Sequence, residues 1–270
     1  MTENDLRDPG NQIRKYIAIS LVTCAITLVC DSHMGAQGLN FAPHPMKNKT
    51  VSVRELGIPE KARDEFERGL HKLAKRDAAA SIRHFDAAIE KFPDYYEAYY
   101  DKGVAEMQMN KDNDAMHFFQ KAIDLSNGRF AQAAFGYGLA LSRQGRPAEA
   151  EPIVRQGLET EPDAADGHVV LAYALLKLKR IDEAEKSAKE ALLLNDENSP
   201  KGYLVLADVE AIRGNYREQA RYLTSYLKVR PADPSKVLLT TARDLAKKLA
   251  ARVNQQTQQR ASADVTQIVR

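Results

Sequence analysis

The residues best equipped for chemistry are four tyrosines in six positions, Tyr95, Tyr96, Tyr99 and Tyr100, within "KFPDYYEAYYDKG" at 91–103. Tyrosine joins a large apolar face to a polar tip, so such a cluster could recognise a partner or simply pack. Other reactive types are scattered. His71, His84, His117 and His168 offer no i, i+4 ligand pair within a helix. Ser225-x-x-Lys228 fits a hydrolase pattern but stands without partner motifs. There is no P-loop, HExxH, GxSxG or glycine-rich dinucleotide turn, so no catalytic, cofactor-binding or metal-ligating set is expected.

The chain has 270 residues, a net charge of +2, no Trp and much Ala, Leu, Glu, Lys and Arg, a helical composition without a strong nucleic-acid footprint. Its two cysteines, Cys24 and Cys30, lie in the apolar run "RKYIAISLVTCAITLVC" at 14–30, which excludes a disulfide framework in the body. A positive flank, a short apolar stretch and a small-residue zone predict a signal peptide or N-terminal membrane anchor over 1–37. The run is short for a membrane span, and a lipidated cysteine or a buried cytosolic first helix are the competing readings. Export to the periplasm, or anchorage facing it, is the expectation.

From residue 60 the chain repeats. Gly69, Gly103, Gly138, Ala172 and Ala207 form one column; Ser81, Ala115, Ala150, Ala184 and Gln219 a second. Phe85, Phe119, Val154, Ala188 and Leu223 form a third, and Ala88, Ala122, Gly157, Ala191 and Tyr226 a fourth. Pro93, Asn127, Pro162, Asp196 and Pro231 close each unit. All five columns advance by 34, 35, 34 and 35 residues, a shared irregularity that chance does not supply. Central turn signals split each unit into two helices, and no such pair buries its apolar faces alone.

This pattern resembles the tetratricopeptide repeat, best in "YEAYYDKGVAEMQMNKDNDAMHFFQKAIDL" with Tyr99, Gly103, Ala115, Phe119 and Ala122 at signature positions. The resemblance implies an all-α, right-handed α-solenoid of five repeats, 62–95, 96–129, 131–164, 165–198 and 200–232. The last departs from the pattern at Gln219 and Tyr226. A lead-in occupies 38–59, with a strand-like piece at Thr50–Leu56, and resembles that of exported bacterial members of the family. After the repeats, Leu238, Ala242, Leu245, Leu249 and Val253 share one face of a capping helix over 233–253. The polar composition of 254–270 predicts a disordered tail.

In the family the first helix of each repeat lines a concave surface. Carried over, a first row holds Phe66, Tyr100, Phe135, Val169 and Leu204; a second Leu70, Val104, Leu139, Tyr173 and Asp208; a deeper one Ala74, Gln108, Arg143, Lys177 and Ile212. The groove expected to bind protein comprises Phe66, Tyr95, Tyr100, Val104, Phe135, Leu139, Arg143, Tyr173 and Lys177. Tyr96 and Tyr99 are expected to pack. The first two rows lack the lysines and asparagines that family members use to clamp a chain terminus. An extended or helical segment with apolar anchors fits better, unless the lead-in, around Val51–Leu56, covers the groove itself. The expected function is a non-catalytic scaffold or adaptor that binds a protein partner and no nucleic acid. An accessory subunit of an envelope enzyme or assembly complex, or a self-associating structural protein, are the alternatives.

Overall fold

The computed structural model describes residues 57–229 and 236–268; the predicted signal or anchor, the lead-in through residue 56, and Pro231 lie outside the described residues. The described residues form helices α1 (Glu60–Ala74), α2 (Ala78–Lys91), α3 (Tyr96–Gln108), α4 (Asp112–Leu125), α5 (Ala131–Arg143) and α6 (Pro147–Thr160). They continue with α7 (Ala165–Lys177), α8 (Ile181–Leu193), α9 (Pro200–Ile212), α10 (Tyr216–Val229) and α11 (Lys236–Ile268). Each helix packs on the next, and the first helices of adjacent repeats also touch one another. The second helices have no comparable contact with each other, so the stack curves towards its first helices, whose outer faces form the concave side. No helix among the described residues is long and apolar enough to cross a membrane.

Every residue of the first four columns is buried. The reason for the small column is the aromatic one. A Cβ added at Gly103 would lie 2.8 Å from the Phe119 ring, and one at Gly136, on the next repeat, 2.7 Å from the same ring. Phe119 thus sits between two glycines on successive first helices. Phe135 repeats the device against Gly157 and Gly167, at 2.7 and 2.5 Å. Close helix approach and ring insertion are one event here, and both need the missing side chain.

The turns explain the alternating period. Every first helix ends in the same Schellman geometry, with a left-handed residue at Arg76, Asn110, Gly145, Lys179 and Gly214. The following amide donates five residues back in each case, from Asp77 to Lys72, Lys111 to Glu106, Arg146 to Leu141, Arg180 to Leu175 and Asn215 to Glu210. Between repeats two solutions alternate. Pro93 and Pro162 stop the second helix because proline lacks the N–H that would continue it. Elsewhere the chain turns through left-handed Asn127 and Gly128, or Asp196 and Glu197, and this turn holds the extra residue.

Ion pairs tie the repeats along one edge. Arg143 at the end of α5 reaches Asp112 of α4 at 3.0 Å, both side chains about nine-tenths buried. Arg180 pairs with Glu151 of the preceding repeat at 2.6 Å, and Arg213 with Asp182 and Glu185 at 2.6 Å each. At Asp112 burial pushes the carboxyl up and Arg143 opposes the shift.

The fifth repeat differs. Among the described residues, Gln219 is fully buried with neither amide atom hydrogen-bonded, and the buried Tyr226 hydroxyl also lacks a partner. Unsatisfied groups of this kind cost about 1–3 kcal/mol each. Beyond them α11 docks on α10 through buried Ala242 and Leu249, with Leu245 half-buried against the core; the Leu238 side chain lies outside the described residues. The helix continues through Ile268, where composition predicts a disordered tail. Residues 254–268 contain no glycine or proline, so a helix nucleated on the docked turns propagates without a break.

Lys179→Gly should stabilise the protein by up to about 1 kcal/mol, because the left-handed conformation penalises a Cβ. Gly145→Ala should destabilise it even though an added Cβ there meets nothing within 4 Å; urea unfolding midpoints decide both. Gly136→Val should cost about 1–3 kcal/mol in the same assay by overpacking Phe119. Tyr226→Phe should be neutral or stabilising at neutral pH. Burial pushes the Tyr226 phenol up to about 12, so the folded state holds a proton that the unfolded chain releases near its ordinary value. The native protein should therefore lose stability between roughly pH 10 and 12, and the Tyr226→Phe variant should lose less, as read from thermal midpoints across that range.

Candidate functional site: the concave face

The concave side is built from the outward faces of α1, α3, α5, α7 and α9. Its first two rows are largely occupied by packing. Tyr100 is 4% exposed, its ring 5.7 Å from Phe119 and 5.2 Å from Phe130 in an edge-on contact. Phe135 is 1% exposed in its double-glycine slot, and Tyr173 is 1% exposed in the same core as Val104 and Leu139. Phe66 is half-buried, 4.8 Å from the Tyr95 ring and 5.8 Å from Phe85. Tyr95 is itself buried and lies edge-on to Phe92 at 5.9 Å.

These placements revise the expected groove. Tyr95, Tyr100, Val104, Phe135, Leu139 and Tyr173 were expected to present faces to a partner, and the structure buries all six. The physical cause is the small-residue columns, which let neighbouring helices close over these side chains. Among the four tyrosines the order is the reverse of that expected: Tyr96 and Tyr99 are half-buried and more accessible than Tyr95 and Tyr100. Tyr96 packs its ring 5.0 Å from Phe130. Arg143 is held by Asp112 and donates to Asn110 Oδ1 at 3.3 Å, so its guanidinium braces two repeats. Lys177 keeps partial exposure with its ammonium 5.4 Å from the centre of the Tyr173 ring.

Accessible surface is concentrated in the deeper row, at the C-terminal ends of the first helices. Ala74 is exposed, Gln108 and Lys177 are half-buried, and Ile212 is 45% exposed. Met109, one residue beyond Gln108, is 39% exposed and was missed in the sequence. Its sequence context gave no signal, because a single apolar side chain before a turn is ordinary on a protein surface. The ion-pair spacing was also legible: Asp182 lies 31 residues before Arg213, and Asp112 the same distance before Arg143.

Nearer the N-terminal ends of these helices, Asp101 and Lys201 are half-buried. Burial pushes the Asp101 carboxyl well up, Glu97 adding to it, and brings Lys201 down to about 8 against the opposing pull of Asp166. Among the described residues no group of three or more His, Cys, Asp or Glu is placed to hold a metal ion.

The sequence profile described as "Tetratricopeptide repeat" matches residues 66–130, 135–203 and 170–236, more than half of the chain. "DnaJ homolog subfamily C member 3" of Gallus gallus is 25% identical over 184 residues, which is 68% of this chain and 35% of that protein. The Rattus norvegicus protein of the same name is 29% identical over 138 residues, 51% of this chain and 26% of that protein. The chain therefore spans about a third or less of these relatives. Among solved structures, a thermophilic TPR protein of Thermus thermophilus superimposes with a TM-score of 0.59 at 19% identity, covering 71% of this chain and 98% of that one. PilW, a type IV pilus biogenesis factor, gives 0.59 at 16% identity, covering 72% and 93%. The match to the family profile, the columns buried in register and the recurring helix pairs agree: the chain belongs to the tetratricopeptide repeat family.

Proposed function

We propose that this protein is a non-catalytic scaffold or adaptor of the cell envelope that holds a peptide or protein segment against the concave side of its repeats. The observation that carries the reading is the accessible ledge at the C-terminal ends of the first helices. It offers Met109 and Ile212 as apolar contacts with Lys177 between them, at the ends of three first helices of a curved stack. An extended or helical segment could place apolar side chains on the first two and an acceptor near the third. The buried first and second rows shape the ledge and hold the helices beneath it. The envelope assignment rests on Arg14–Cys30, with its positive flank and apolar core.

A photo-reactive amino acid at Gln108, Lys177 or Ile212 should crosslink a partner in intact cells, and one at Lys186, exposed on the outer helix α8, should not. Equal yield from both faces would count against the ledge. Fractionation of the same cells should place the chain in the envelope; full-length protein confined to the cytosol would overturn that part alone.

A further inference from the structure

The charge of this chain is divided between two regions of the stack. Residues 57–215 carry 22 Lys/Arg against 28 Asp/Glu, whereas residues 216–252 carry nine against three. The small net charge of the whole chain conceals this separation.

The positive region has a definite shape. Arg217, Arg221, Thr224 and Lys228 follow one another at spacings of 4, 3 and 4 residues, the repeat of a single helical face, and all four are exposed. Helix α11 packs against α10, with the Arg252 guanidinium 4.3 Å from the centre of the Tyr216 ring. Burial of Ala242 and Leu249 fixes the rotation of α11 and leaves Arg243, Lys247 and Lys248 exposed, so both helices of this end present cations. Of the α10 cations only Arg221 has an ion pair among the described residues, with Glu218 at 2.7 Å.

The negative region is an edge. Glu159 and Asp163 stand where α6 turns into α7, and Asp196 and Glu197 where α8 turns into α9. All four are exposed and none has an ion pair among the described residues. Asp163 and Glu197 occupy equivalent places one repeat apart, so the carboxylates form a row along the stack.

We infer that the basic face of α10 and α11 docks onto the acidic edge at the α6–α7 and α8–α9 turns of a second copy of this chain. The two surfaces differ, so the contact is heterologous and leaves the acidic edge free on one copy and the basic face free on the other, giving head-to-tail growth. Exposed charges of opposite sign steer such an encounter and weaken as salt screens them. This inference does not depend on the concave ledge, which lies on another part of the molecule.

The test uses light scattering on the full chain and charge reversal. At about 50 mM salt the average mass should rise above the monomer with concentration, and at about 0.5 M salt it should return to the monomer. Combined Arg217→Glu, Arg221→Glu and Lys228→Glu should abolish the rise, as should combined Glu159→Lys, Asp163→Lys and Glu197→Lys. Mixing the two reversed proteins should restore it, because each recreates the missing complement of the other. An equal charge change on α1, through Lys61→Glu, Arg63→Glu and Lys72→Glu, should leave association intact. A native protein that stays monomeric at low salt overturns the proposal, as does loss of association in the α1 variant equal to that in the α10 variant. Monomers that bind phosphatidylglycerol vesicles through α10 without associating with each other also overturn it, since the basic face would then serve a lipid surface.

Discussion

Everything in this structure depends on how closely one first helix can approach its neighbours. Phe119 between Gly103 and Gly136, and Phe135 between Gly157 and Gly167, show the constraint directly. A ring fills the space that two missing side chains leave, and the helices close until that space is gone. Because a single helix pair has one apolar face too many, stability accumulates across layers. The core is accordingly continuous from Tyr100 in the second repeat to Leu249 in the capping helix. The first repeat packs in smaller clusters around Ala62 and Phe85.

The same packing determines what the concave side has left to offer. Side chains one or two turns into a first helix are drawn between neighbours, which is the fate of Tyr100, Phe135, Leu139 and Tyr173. At the C-terminal ends of these helices, where the chain leaves through a left-handed turn, Met109, Lys177 and Ile212 regain solvent. The last repeat is the least complete layer. Its buried Gln219 and Tyr226 place polar atoms where earlier repeats have small side chains, and beyond it the sequence turns basic.

Much of the fold was legible because the repeat is a spacing, and spacing survives substitution. Small, small, aromatic or aliphatic, small and turn-forming residues recur in phase, and the alternation of 34 and 35 marked the two kinds of inter-repeat turn. The left-handed column at Arg76, Asn110, Gly145, Lys179 and Gly214 was not legible. Its members share a backbone conformation but no side-chain chemistry. Likewise the composition of 254–270 suggested disorder, because helix propagation from a docked segment depends on the docking and not on local polarity.

Residue size and turn chemistry at fixed intervals dictate the helix pairs, their register and the places where helices must come close. Tertiary structure decided which tyrosines are accessible. It also decided that Arg143 braces two repeats, and that Met109, Lys177 and Ile212 keep contact with solvent at the ends of their helices. The reason is physical. Exposure is a property of the neighbouring layer, and a residue one repeat away in the chain settles whether a ring meets water or a glycine.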